Sequence, residues 1–353
     1  MNLPTKLTHI LRASALFAFL FSVSTMVFAQ KGTPYYTASL EGKNIRDVEV
    51  VTSGGSITVM NEAGEKTRIE VYIRGNNGNE LSNAEIEKRL KDKYDFVIET
   101  SDNKVKAIAK RKSDWTDWKN ALNISFKIYV PAKVATSLKT SGGSISLKGL
   151  EGKQDFATSG GSLKVEDIKG NVLGRTSGGS ISVSGVQGSI EMKTSGGSIT
   201  VSNSKGDMVL KTSGGSLKLD NLSGKVEAHT SGGSISGSNI SGELKTGTSG
   251  GSVRLASLRG SVDASTSGGS MDVSLAELGS YVKLRNSAGG ISLRVPAGKG
   301  LDLDISGQNV SVPNLSNFSG NTTNREIVGK VNGGGIPVSA KSSAGTIRVS
   351  FEN

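Results

Sequence analysis

The stretch TSGGSI at residues 140–145 returns at 176, 194 and 230, with TSGGSL at 158 and 212, TSGGSV at 248 and TSGGSM at 266. Each copy follows the last by eighteen residues. The glycine signal is denser than the hexapeptide. A glycine stands at every ninth position from Gly143, through Gly152, Gly161 and Gly170, to Gly269. One eighteen-residue unit therefore holds two nine-residue halves, each closed by a glycine turn. Between turns the apolar residues alternate, as in Ile181, Val183, Val186, Ile190 and Met192, or Val253, Leu255, Leu258, Val262 and Ala264. A spacing of two marks a strand with one buried face, and no helical period competes with it.

Two short strands and two turns per unit describe one coil of a solenoid. Stacking at ~4.8 Å would pair each strand in parallel with its copy one coil away and line equivalent side chains into columns. Burying one aliphatic side chain contributes about 1.5–3 kcal/mol, so a single coil cannot fold alone but a stack can. The expected fold is all-β: a parallel β-helix, or two-sheet β-solenoid, with 18 residues per coil. The crossover rule for parallel strands makes it right-handed. A left-handed helix of six-residue sides fails, because steps of six from Ile145 reach Glu151 and Ala157. The turns are expected at Gly143, Gly161, Gly179, Gly197, Gly215, Gly233, Gly251 and Gly269, in backbone conformations where a Cβ clashes. Ser and Thr beside them can satisfy turn groups and hydrogen-bond up the stack.

A first copy, TSGGSITV, stands alone at 52–59, and eighty residues pass before the run resumes at 140. Within this insertion Ser82 and Glu85 form a capping box, and Leu81 with Ile86 a hydrophobic staple, for a helix reaching about Lys93. Phe96–Glu99 and Lys104–Lys110 read as a hairpin, and Leu122 to Val130 alternates cleanly up to Pro131. The end of an aliphatic solenoid needs covering. The insertion is read as a small strand-rich cap containing one short helix; Trp115 and Trp118 are read as packed into it, the alternative being an exposed pair that stacks on sugar rings. The expected divisions are a signal peptide over 1–29, a first coil and capping segment over 30–133, regular repeats over 134–285 and degenerate C-terminal coils over 286–353. Beyond Gly269 the period slips by two, and NSAGGISLRV (286–295) and SSAGTIRVSF (342–351) replace the motif.

The leader reading rests on Lys6 and Arg12, a mostly apolar Ala13–Phe28, and Val27 and Ala29 at a small-residue cleavage site. It implies export to the periplasm, the outer surface or the medium, with no transmembrane helix after cleavage. The chain has no cysteine, which excludes disulfides, thiolate metal sites and a lipidated cysteine. Its formal charge of +11 becomes +9 once Lys6 and Arg12 leave with the leader. Such a balance favours acidic polymers or anionic surfaces. Outward rows of the solenoid supply a candidate binding surface in Lys164, Arg175, Lys193, Lys211, Lys218 and Arg254.

Catalytic chemistry finds little support. His229 is the single histidine after the leader, in a row with Arg175, Lys193 and Lys211, and no triad or histidine metal cluster can be assembled. Asp155, Glu191, Glu227 and Asp263 recur every second coil, ~9.6 Å apart, near the upper limit for an inverting pair of carboxylates. No cofactor and no specific nucleic acid is expected.

TSGGSITV (52–59), the lead-in Ile128-Tyr129-Val130-Pro131-Ala132, the GGSI coils and the ending NGGGIPVSAKSSAGTIRVSF together resemble the bacterial family named "putative adhesin", a group of β-helix domains. The resemblance covers the whole chain after the leader. It implies an envelope or secreted solenoid, carries adhesion as a family-level conjecture, and brings no catalytic residues. The leading reading is a non-enzymatic secreted or envelope scaffold binding anionic glycans or a cell surface. The alternatives are a polysaccharide-active β-helix enzyme using the four carboxylates, and a structural envelope protein that assembles into homo-oligomers.

Overall fold

The computed structural model describes residues 32–76, 78–112, 118–313 and 315–352. The leader, Trp115 and the side chain of Trp118 lie outside the described residues. Residues 34–353 form one compact unit. Among the described residues it is all-β with one α-helix, Asn83–Lys93, and one short 3-10 turn, Trp118–Asn120, and its strands join one continuous solenoid-like sheet.

The strands stack in two columns. Before each TSGG corner lie Ala135–Thr140, Gln154–Thr158, Val172–Arg175, Ile190–Lys193 and Met208–Lys211. After it lie Ile145–Lys148, Leu163–Glu166, Ile181–Ser184 and Ile199–Lys205. Both columns pair in parallel, with registers such as Val172↔Ile190↔Met208 and Leu163↔Ile181↔Ile199, each a step of eighteen. One strand from each column makes a rung. Inward residues of both columns share a single core, in which Ile181, Val183, Val186, Ile190 and Met192 are almost wholly buried. Where a column holds a glycine inside, neighbours fill the gap: a Cβ on Gly174 would meet the Phe156 ring and Met192 Sδ, each at 2.7 Å.

The corner motif is explained residue by residue. Thr194 Oγ1 donates to the Gly179 carbonyl at 2.9 Å and accepts from Gly197 N–H at 3.3 Å. The same pair of bonds recurs at Thr158, Thr176, Thr212, Thr230, Thr248 and Thr266. The closing Ser forms a ladder in which Ser216 N–H donates to Ser198 Oγ, and Ser234 N–H to Ser216 Oγ. The second glycine is fixed by contact and not by dihedral angle. Gly143 to Gly269 of this series have no positive φ, yet a Cβ on Gly197 would lie 2.1 Å from the Gly179 carbonyl oxygen. The first glycine is freer, since a Cβ on Gly196 meets nothing nearer than 3.5 Å. The chain itself shows the difference: Ala288 and Ala344 replace the first glycine, while Gly289 and Gly345 keep the second. The opposite corner does need the left-handed region. Gly206 has φ +131° and also crowds the Gly188 carbonyl.

A further corner escaped the sequence reading. Gly149, Asp167, Gly185, Asn203, Asn221, Asn239 and Ser257 all have φ between 49° and 69°. Asn221 Nδ2 donates to Asn203 Oδ1 along this column at 2.7 Å.

The order of rungs in space differs from their order in the chain at both ends. Asp47–Thr52 pairs in parallel with Ala135–Thr140 on one side and Lys104–Arg111 on the other. Ile57–Met60 likewise sits between Ile145–Lys148 and Leu122–Tyr129. The insertion therefore contributes a rung of its own, beyond the lone TSGGSITV copy. Antiparallel strands close that rung: Tyr94–Thr100 pairs with Lys104–Arg111, and Arg68–Gly75 with Leu122–Tyr129. The cap helix starts as expected, with Ser82 Oγ accepting from Glu85 N–H at 3.3 Å, and buries Ile86 and Leu90.

At the other end Ile336–Ser342 lies between the later part of Met271–Asn286 and Leu301–Ser306. The outermost rung is thus 301–311, and the chain's final segment is the rung beneath it. Glu326–Val331 closes Leu301–Ser306 in antiparallel fashion, and the Asn324 carbonyl accepts from Val310 N–H. The two-residue slip falls at the corner between Gly260/Leu278 and Val262/Val282.

Candidate functional site

Outward positions form rows along the stack, and the structure divides the six candidate cations between two of them. Arg175, Lys193 and Lys211 occupy consecutive rungs of the column before the TSGG corner, in register Arg175↔Lys193↔Lys211↔His229. At ~4.8 Å per rung these three span about 10 Å. Lys164, Lys218 and Arg254 lie on the other column, separated by Ser182, Thr200 and Ser236. One face therefore carries an unbroken run of three cations, and the other carries isolated ones.

The four carboxylates share the neighbouring row on the first face, in the expected register through Leu173, Val209 and Lys245. Three are matched by cations: Glu191 by Arg175 at 3.6 Å, Glu227 by Lys211 at 3.3 Å, and Asp263 by Arg285 at 2.7 Å; His229 Nε2 also lies 3.7 Å from Glu227. They lie on open strand surface. Such exposed pairs contribute little stability, ~0–1 kcal/mol each. They do set the local charge. Among the described residues no ion pair reaches Lys193, Lys218 or Arg254, so Lys193 is a net positive charge between two matched ones.

Other charge clusters are structural. In the cap Arg68 Nε donates to Glu70 Oε1 at 2.6 Å, Tyr72 OH donates to Glu70 Oε2 at 2.8 Å, and the Arg68 guanidinium stacks 3.8 Å from the Tyr129 ring centroid. Burial works against the Glu70 charge, but these donors overcome it and hold its carboxyl below the usual range. Burial and the bond to Glu70 push the Tyr72 phenol up to about 12. On the stack, Tyr281 OH donates to Glu243 at 2.8 Å where the period slips. Among the described residues no group of His, Asp and Glu could hold a metal ion, and no helix is long and apolar enough to cross a membrane.

A shallow groove of about 560 Å³ crosses the TSGG edge at the C-terminal end, lined by Ser265, Arg285, Ser287, Ser306, Lys341, Ser343 and the buried corner residues beneath them. The sequence reading missed it.

No curated protein matches the chain. Among solved structures it is similar to a putative cell adhesion protein from Clostridium sporogenes, with 10% identity over 90% of this chain and 97% of that one and a TM-score of 0.20. A putative adhesin from Bacteroides fragilis shares 14% identity over 89% of this chain and 96% of that one, with a TM-score of 0.30. A putative lipid binding protein from Parabacteroides distasonis shares 13% identity over 92% and 98%, with a TM-score of 0.29. The family described as Toastrack DUF4097 matches residues 190–350, so the later rungs and the C-terminal end are similar to that family.

Proposed function

We propose that this chain is an exported, non-enzymatic surface protein that binds anionic glycans through the cation run on its first face. In this reading it is a right-handed parallel β-helix with eighteen residues per coil. The signal peptide over 1–29 delivers it to the envelope or the medium. The observation that carries the reading is the register Arg175↔Lys193↔Lys211, which places three positive side chains on successive rungs of a rigid sheet. A polyanion laid along the axis meets the unpaired Lys193 flanked by Arg175 and Lys211, whose donors it shares with Glu191 and Glu227. Weak contacts of this kind add through multivalency when one chain engages several at once. Antiparallel strands flank the outer rungs at both ends, so a further copy would not meet a parallel rung to continue there, which favours this reading over self-assembly by continued stacking.

The test is binding of the purified protein to an acidic polysaccharide such as polygalacturonate, at low and physiological salt. The comparison protein carries Arg175→Gln, Lys193→Gln and Lys211→Gln, all at exposed positions. Binding that weakens with salt and falls at least about tenfold in the triple variant supports the reading. Binding untouched by either change contradicts it.

A further inference from the structure

Arg285 and Lys341 stand on adjacent rungs in direct register. Left to themselves, two such cations would crowd one another. Here they lean in opposite directions along the axis. Arg285 Nη2 reaches Asp263 at 2.7 Å, one rung back, while Lys341 Nζ reaches Asp304 at 2.8 Å, one rung outward. The gap between them is the groove at the TSGG edge. Its lining includes the hydroxyls of Ser287 and Ser343 at the corner and the amide of Asn286, and no carboxylate lines it. Each cation spends one donor on its carboxylate and keeps others, since a guanidinium has five N–H groups and an ammonium three.

We propose that this groove is a subsite for a single sugar-borne oxyanion, a carboxylate or a sulfate ester, seated between Arg285 and Lys341 with the sugar hydroxyls on the lining serines. The inference rests on the anionic-glycan reading and deepens it. The cation run holds a polymer along the face, and the groove holds one acidic residue of a short oligomer. Its volume falls within the roughly 300–1,000 Å³ usual for ligand sites. Unlike the open row, it sets serine hydroxyls beside its cations, so it selects by hydrogen bonding as well as charge. Asp263 and Asp304 hold the two cations apart before a ligand arrives, which lowers the ordering cost of binding.

The test is calorimetric titration of the full chain with tetragalacturonate, a sulfated tetrasaccharide and neutral maltotetraose. The groove variants are Arg285→Gln with Lys341→Gln and, separately, Ser343→Glu. The latter adds a negative charge at an exposed hydroxyl whose side chain holds no corner bond, so folding is preserved. One acidic tetramer is expected per chain, with affinity reduced at least about tenfold by each groove variant and unchanged by the Arg175/Lys193/Lys211 triple variant. Preference between the uronate and the sulfated tetramer identifies which oxyanion the groove takes. Equal binding of maltotetraose overturns the proposal. So does tetramer binding that survives both groove variants. Absence of tetramer binding while polygalacturonate still binds removes the groove alone. Absence of both removes the broader reading with it.

Discussion

In the repeated rungs, a buried hydroxyl such as that of Thr194 finds its partners in its own corner and in the copy one rung back. In the cap, the buried carboxylate of Glu70 is held by Arg68 and Tyr72, a combination that occurs once. The first solution is a single local geometry copied along the axis. Its demands are therefore severe, because any change must fit the rung above and the rung below. The second depends on no copy, so its residues are free to be polar, aromatic and irregular. This contrast explains why the repeats are so faithful and the cap is not.

The largest expected break of the comparison comes from the two glycines of one corner. Gly197→Ala sets a Cβ against a backbone carbonyl that the stack cannot move, and should cost about 4 kcal/mol or more. Gly196→Ala, one residue away, should fall within about 1 kcal/mol of wild type. Denaturant midpoints of the two proteins measure this directly, and equal midpoints would show that stacking contact does not select the glycine.

A smaller effect is expected inside the same corner. Thr194→Val keeps the shape but strands the Gly179 carbonyl and the Gly197 N–H, costing about 2 kcal/mol. Amide exchange should accelerate in the rungs on either side of residue 194 and remain slow in the cap.

The cap responds to pH in its own way. The Tyr72 phenol has a folded pKa of about 12, above its ordinary 10, so its contribution is complete below pH 10 and is lost as the pH rises through 12. Glu70 has the opposite sign: its contribution is present above the ordinary carboxylate range and is lost as the pH falls below it. Tyr72→Phe should cost about 1 kcal/mol at neutral pH through the lost hydrogen bond. The gap from wild type should close near pH 12. A pH-independent gap would assign Tyr72 a packing role only.

Much of the stack was legible in the sequence, because stacking writes its period into the chain. The inward rows through Ile181 and Ile190 follow from alternation, and the cap helix from Ser82 and Glu85. The left-handed corner column was legible in principle, since every eighteenth residue from Gly149 to Ser257 is Gly, Asp, Asn or Ser. The order of rungs at the ends was not. A chain that leaves the stack and returns beneath its own outermost rung carries no periodic mark of having done so. The two rows of candidate cations lie in the regular repeats, where register follows the period, and were legible as separate rows. The groove was hidden by the order of rungs at the end. Lys341 meets Asp304 only because residues 301–306 lie outside residues 336–342 in space.

The central claim is that residues eighteen apart stack as columns along one axis. The chain has no cysteine, so spin labels can be placed cleanly at Ser146 paired with Lys218, and at Ser146 paired with Arg254. Pulsed electron resonance should return backbone separations of about 19 Å and about 29 Å, for four and six rungs at ~4.8 Å each. Distances that fail to grow in proportion to the number of repeats between the labels would contradict the account.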